Sequence, residues 1–517
     1  MMVLSDNEKQ EKTGQHGCQE DDIVEVSEGE QTRTTTATIA IDEKIEYSSI
    51  FPTRDSKWHA SYKRKLVRRL DLRLLPVVIL MYTLNFLDRT NLAQARLGTL
   101  EKDLKMTGTD FNLATSIFFV AYVVMQLPSN LILTRVRPSL YLGISMLLWG
   151  IVSTVQAAAY SFKGLLATRI FLGFVEAPFY PGVTMLISSW YTTDEITLRL
   201  SWFFAGILLA NMVGGLLGAA VLGNLEGAHG IAGWRWLFII EGSITVGLAI
   251  ISMFLLPNFP SYANWLSDEE RAYAEWRLTA EAKEADDPNS TTLLEGLRMA
   301  LVDWRVYIFM LFNHALLLSM TFVYFFPSIV QTLGYSTIHT LLLTAPIWFL
   351  VFLVCLISTY SAGRTGDRSI HIICLLLISL VGNLIVVIST KSAVRFFGMF
   401  LMPLGAMPAV QIGFSWIATS FPRPMVKRSA TIAMCSLTAN IASIYGSYMF
   451  PASAAPQYIA GGSANAGLCV LVAGITVVLR LVHARENRKL EKAELEPEIE
   501  QGEGRKDVRG KGFRYLL

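Results

Sequence analysis

Four ionisable side chains stand inside stretches that are otherwise apolar enough to cross a bilayer. Asp88 and Arg89 lie near the end of the run 74–95, and Arg169 and Glu176 lie within the run 165–190. Placing a charged side chain at the middle of a bilayer costs about 2.5–3.5 kcal/mol on insertion scales, so each needs a compensating partner. Arg169 and Glu176 are seven residues apart, which puts them on one helix face about 10 Å apart along the axis. That is too far for a direct ion pair, so their partners must come from another helix, a wet cavity or a substrate. The plain structural alternative is a bracing pair between helices. The chemical reading starts from the arginines, which stay charged and offer planar forks suited to a carboxylate. The acids can lose their charge, because burial and neighbouring charges act on a carboxyl in opposite directions. Arg89 is then the expected substrate clamp with Arg169 beside it, and Glu176 is the expected proton carrier together with Asp88. Adjacent residues on a helix diverge by about 100°, so Asp88 and Arg89 cannot serve one spot. One faces the cavity while the other caps or braces a neighbouring helix.

These residues need an apolar frame, and the chain supplies one. Of 517 residues, 52% are hydrophobic and 17% charged, with a mean hydropathy of +0.42. A soluble protein carries about 25% charged residues. Six apolar runs, near 74–95, 111–133, 140–159, 165–190, 200–222 and 236–256, precede a polar segment. Six more follow, near 305–331, 340–361, 370–390, 394–417, 430–450 and 465–482. The expectation is an all-α membrane protein with twelve transmembrane helices in two pseudo-symmetric six-helix halves, the pattern of a rocking transporter. Its parts are a disordered cytoplasmic tail with a basic juxtamembrane end (1–73), a first half (74–256), a cytoplasmic linker (257–304), a second half (305–482) and a C-terminal tail (483–517), also disordered. In the linker, Ser267–Glu270 and Thr292–Glu295 are capping boxes that predict short surface helices. Arginine and lysine favour the loops after even-numbered spans, which puts both termini in the cytoplasm. The N-terminus lacks the basic-then-apolar pattern of a cleaved signal.

Other function classes find no residues to carry them. The five cysteines lack metal-ligand spacing, so no metal and no cofactor are expected. A net charge of +2 gives no reason to expect nucleic acid. No His-Glu-x-x-His, no Gly-x-Ser-x-Gly and no phosphate-cradling loop is present, so the chain does not read as an enzyme. Softer candidates to line a cavity are Tyr324, Trp416 and Asn440, while His314 reads as a packing residue and Gly214, Gly215 and Gly218 as small residues for close helix contact.

The loop Gly363-Arg-Thr-Gly-Asp367-Arg368 resembles the inter-helix signature of the major facilitator superfamily, with Arg135 after Thr134 at the matching place in the first half. Three further stretches are similar to its anion:cation symporter family, and within that to the fungal allantoate-permease-like branch. They are Leu87-Asp88-Arg89-Thr90-Asn91, Arg169-x-x-x-Gly173-x-x-Glu176-Ala177-x-x-x-Pro181-Gly182, and Gly233-Trp-Arg-Trp leading to Glu241-Gly242, and the resemblance covers about residues 60–485. It implies the major facilitator fold and proton-coupled uptake of an organic anion, with Asp88, Arg89, Arg169 and Glu176 lining the site. Tyr122 and Asn440 are implied as further liners, and Asp367, Arg368 and Arg135 as a gating loop. The partners implied are a small organic anion, protons and the lipid bilayer, with the chain acting as a monomer in the plasma membrane. Phe86 departs from the tyrosine of bacterial relatives, and Thr134 replaces the loop aspartate. An exporter of a secondary metabolite and a non-transporting nutrient sensor remain the competing functions.

Overall fold

The helices begin where the chain offers a cap and end where it runs out of apolar face. The computed structural model describes residues 51–133, 136–263, 265–285, 293–421, 424–495 and 514–516. Phe51–Thr53 is a short 3-10 turn in a first unit that ends at Arg54. In the second unit, Asp55 accepts the Trp58 backbone N–H at 3.0 Å and starts α1, Ser56–Ala95. At 1.5 Å per residue its 40 residues span about 60 Å, twice the hydrocarbon thickness. The basic juxtamembrane stretch 57–73 therefore belongs to α1, while the tail before residue 51, expected to be disordered, lies outside the described residues.

The spans continue as α2 (Asp110–Leu133), α3 (Pro138–Gln156), α4 (Phe162–Glu176 and Phe179–Ser188), α5 (Thr193–Asn224) and α6 (Gly233–Leu255). After the linker come α7 (Trp304–Leu318, prolonged by turns to Gln331), α8 (Thr337–Thr365), α9 (Arg368–Ile388), α10 (Ser392–Ser420), α11 (Met425–Gly446) and α12 (Ile459–Leu495). The fold is the all-helical one expected, with no strand among the described residues. Ten of these elements are long and apolar enough to cross a membrane, and α2 contributes a shorter apolar stretch, Asp110–Gln126. The remaining one, α11, is diluted by Lys427, Arg428 and a run of Ser and Thr. The chain is a multi-pass membrane protein. Pro178 interrupts α4 directly after Glu176, and the 3-10 turn Thr321–Phe325 loosens α7 before Pro327. Both breaks lie beside the site described below.

The linker helix Asp268–Ala285 opens with the expected capping box: Ser267 Oγ accepts the Glu270 N–H at 3.2 Å, and Glu270 accepts the Ser267 N–H at 3.3 Å. It is pinned to the first half by Arg69–Glu270 at 2.7 Å and Arg277–Glu195 at 3.1 Å. A second linker helix runs Leu293–Val302, and residue 292, which would complete its capping box, lies outside the described residues. The C-terminal tail also differs from expectation. α12 continues to Leu495, and residues 514–516 return to the second half, where Arg305 donates to the Tyr515 hydroxyl at 2.9 Å. Trp416 and Asn487 donate to the carbonyls of Leu516 and Tyr515 at 3.0 and 2.9 Å.

The halves meet at both ends of a central cavity. At one end the Thr337 hydroxyl donates to the Leu97 carbonyl at 3.1 Å and Asn112 donates to the Ser447 carbonyl at 2.6 Å. At the other, Phe204 stacks on Phe414 at 5.5 Å and Gln411 donates to the Ser201 carbonyl at 3.2 Å.

Candidate functional site

Glycine decides how the charged helices meet. A Cβ on Gly173 of α4 would stand 2.8 Å from the Ala121 Cβ and 3.0 Å from the Tyr122 nitrogen, so α4 and α2 touch backbone to backbone there. A Cβ on Gly206 of α5 would stand 2.9 Å from the Ile79 carbonyl oxygen of α1. These close crossings draw α1, α2, α4 and α5 around one point. Glu176 is fully buried at that point. Its Oε2 accepts the Arg89 Nε–H at 2.7 Å and the Asn85 amide at 3.2 Å, whereas Oε1 has no partner among the described residues. The Arg89 guanidinium lies over the Tyr122 ring at 4.8 Å and near that of Phe118 at 5.3 Å. Cation–π contacts of this kind contribute about 0.5–2 kcal/mol.

Arg89 projects into the central cavity, about 1090 Å³ of space counting the part open to solvent. It is the one charged side chain among the described lining residues. Eight aromatic rings line the same space: Tyr82, Phe86, Phe119, Tyr122, Tyr180, Phe204, Tyr324 and Phe414. The second half adds Gln411, Ser436, Asn440 and Ser443. The Asn440 amide donates to the Ser436 carbonyl at 2.9 Å. Such a cavity can take one negative charge on Arg89, once Glu176 lets go, and a flat or apolar body among the rings.

The other sequence candidates divide. Tyr122, Tyr324 and Asn440 line the cavity with Arg89. Arg169 is buried in a small void that it shares with Arg89 and Tyr324, and its Nε and Nη2 have no partner among the described residues. Asp88 faces away from the cavity: it accepts the Ser153 hydroxyl of α3 at 2.6 Å and the Thr245 hydroxyl of α6 at 3.2 Å. It is the bracing member of the Asp88–Arg89 pair. Trp416 requires a correction. It is wholly buried within the second half, edge-on to Phe309 and Phe312 at 5.7 and 5.9 Å, and it lines no part of the cavity. The loop pair is also inward-looking. Asp367 caps α9 and accepts Arg480 of α12 at 2.7 Å, while Arg368 donates to the Ser415 carbonyl of α10 at 2.5 Å. Both tie the second half to itself, and among the described residues neither has a partner in the first. Burial pushes the Asp367 carboxyl up, but hydrogen bonds from Arg480, the Ile370 N–H and the Ser369 hydroxyl outweigh it and hold the group below its ordinary value. Arg135 and Thr134 lie outside the described residues.

Two participants in the site, Asn85 and Gln411, and one buried acid outside it, Glu241, have no place among the sequence candidates. Asn85 stands one helical turn before Arg89, a polar residue in an apolar run, and that spacing was its signal. Gln411 sits in an otherwise apolar part of α10. Glu241 of α6 is fully buried, and neither carboxyl oxygen has a partner among the described residues.

Residues 78–447 match the family model described as Major Facilitator Superfamily. The chain is 30% identical over 491 residues to the MFS-type transporter cnsO of Penicillium expansum, covering 91% of this chain and 94% of that protein. It is 31% identical over 440 residues to the MFS transporter prlL of a fungal species, covering 83% and 88%. Among solved structures, the partially occluded inward open xylose transporter XylE from E. coli aligns with a TM-score of 0.60 at 13% identity, covering 77% of this chain and 95% of that one. That likeness is one of fold.

Proposed function

The chain belongs to the Major Facilitator Superfamily, and from that premise we propose that it is a proton-coupled importer of a small organic monoanion. Within the superfamily we place it in the anion:cation symporter family, on the allantoate-permease-like branch. The observation that carries the reading is the Arg89–Glu176 pair: a lone cavity cation, held at 2.7 Å by a carboxylate that is itself fully buried. Breaking a buried pair by removing one charge is strongly unfavourable unless another charge replaces it. Protonating Glu176 removes its charge and frees Arg89, and a substrate carboxylate replaces it. The loaded site then has the same net charge as the resting one. The two halves rock around it without carrying an uncompensated charge through the bilayer.

The lining narrows the substrate class. One guanidinium among eight rings suits a monocarboxylate with a flat, aromatic or heteroaromatic body, and Asn440, Ser436 and Gln411 suit a polar group at its far end. Arg169, behind Tyr324, acts on the pair electrostatically and is not the primary clamp. The arginine-bearing loops after even-numbered spans support cytoplasmic termini. We assign the protein to the plasma membrane, acting as a monomer.

The test is uptake of a panel of labelled carboxylates into proteoliposomes holding the purified chain, with and without an inward proton gradient. Uptake of an aromatic monocarboxylate that rises with the gradient and collapses with a protonophore is expected. Uptake indifferent to the gradient, or preference for neutral or cationic solutes, overturns the reading.

A further inference from the structure

A second polar group lies between α1, α3 and α6, on the opposite side of α1 from the cavity. Its first layer is the set already described, Asp88 with the hydroxyls of Ser153 and Thr245. One helical turn from each of these residues stand Asn91 on α1, Gln156 on α3 and Glu241 on α6. α6 runs antiparallel to α3, so the steps of plus three, plus three and minus four all lead toward the same end. The close contacts between α3 and α6 fix that register. A Cβ on Gly150 would stand 3.0 Å from the Thr245 Cγ2, and one on Gly242 would stand 2.6 Å from the Thr154 nitrogen. Gln156 and Glu241 therefore fall at one level.

All three residues of this second layer are fully buried. All six of their side-chain polar atoms lack a partner among the described residues. Buried polar groups are nearly always satisfied, so six orphans in one layer mark a place built for something other than packing. No cation reaches Glu241 among the described residues. Asp88 is the charged group that acts on it, and Asp88 repels a second negative charge. Arg235, on the same helix, is turned to the Ala157 carbonyl and to the rings of Tyr160 and Trp234. α3 carries no charged side chain, and Arg169 of α4 acts on Asp88 and Glu176. An isolated carboxylate in such a medium neutralises.

We propose that the Asn91–Gln156–Glu241 layer is a proton-binding site, distinct from Glu176, in which Glu241 is held as a neutral acid. The charge tally agrees. Arg89 and Arg169 balance Asp88 and Glu176, and Glu241 is the fifth ionisable group, which needs one proton to leave the set neutral. The proton comes from water and resides on a Glu241 carboxyl oxygen, in a buried layer whose other polar groups are the Asn91 and Gln156 amides. The inference concerns this cluster alone; its spectroscopic test holds whether or not the cavity takes an anion, and only its uptake test rests on the proposed function.

Infrared difference spectroscopy of the purified full chain in lipid, with exchange from light to heavy water, tests it. A protonated-carboxyl band that shifts with deuterium is expected in the wild type and in Glu176→Gln, and is expected to vanish in Glu241→Gln. A band that survives in Glu241→Gln, or is absent from the wild type, overturns the proposal. Should Glu241→Gln not fold, Glu241→Asp serves: the band must move to a new frequency, and an unmoved band overturns the assignment. Because glutamine mimics the neutral acid, Glu241→Gln should keep uptake within about twofold; a folded variant without uptake overturns the standing proton. Thermal stability that rises with sodium over choline in the wild type but not in Glu241→Gln would make this a sodium site and refute the proton.

Discussion

Gly215 of α5 and Leu341 of α8 touch across the two halves so closely that a Cβ on the glycine would stand 2.9 Å from the Leu341 carbonyl oxygen. Gly223 and Ile338 repeat the relationship two turns on, at 3.0 Å from the Ile338 Cδ1. This end of the molecule is shut where the glycine face of α5 packs directly on the backbone and side chains of α8. Gly215→Leu should therefore disfavour the shut arrangement by about 1–3 kcal/mol, the usual range for overpacking. Cysteine accessibility at Thr115, in the void on that side of Arg89, reports it. Labelling should rise several-fold while expression is kept, and unchanged labelling would refute the role.

Arg89 and Glu176 should respond to substitution in opposite ways. Arg89→Ala removes the charge-assisted bonds that a carboxylate would make, about 1.5–3 kcal/mol, so KM should rise about 10- to 100-fold. Glu176→Gln mimics the protonated state. It should still exchange labelled substrate across the membrane, while net uptake no longer follows the proton gradient. Uptake kinetics under an imposed pH difference separate the two outcomes.

Tyr122 contributes a ring face 4.8 Å from the Arg89 guanidinium. Tyr122→Leu keeps bulk and removes the π face, which should weaken substrate binding about 2- to 10-fold through a less well-held arginine. Tyr122→Phe should restore most of the loss. A loss equal in both variants would assign the effect to the hydroxyl.

Asp303, between the linker and α7, accepts Arg305 and Lys427, each at 2.7 Å. Burial raises its pKa, but the hydrogen bonds from Arg305 and Lys427, with their charges, outweigh it and leave the group well below its ordinary value. A carboxyl lowered on folding stabilises the fold above its unfolded pKa of about 3.9. That contribution fades as pH drops below about 4 toward the folded value. Melting of the purified protein should be flat from pH 7 to 5 and fall on further acidification, and Asp303→Asn should start lower and fall less. Equal slopes in both proteins would count against it.

Much of this was legible in the chain because lipid imposes a simple rule. Long apolar runs must be helices, and a charge within one must be compensated, so α1, α4 and the residues Arg89, Arg169 and Glu176 announced themselves. The direction in which a side chain points was harder to read. Trp416 and Asn440 both sit in amphipathic surroundings, and only packing shows that one is buried against Phe309 and the other faces the cavity. Glu241 was overlooked because its value lies in what fails to meet it, and a string of letters records no empty neighbourhood. The seat of the C-terminal residues is hidden in the sequence for a related reason. The composition of the tail favours disorder, and three residues find a seat only because Arg305, Trp416 and Asn487 converge from three separate helices.

That seat has a practical side for anyone handling the protein. Tyr515 stacks on His483 at 5.0 Å and is almost wholly enclosed. A purification handle or fluorescent reporter fused just beyond it would strain this anchorage and loosen the membrane-proximal ends of α7, α10 and α12 together. Reporters on the opposite terminus avoid that disturbance, and melting temperatures from the two fusions would show how much the anchorage matters.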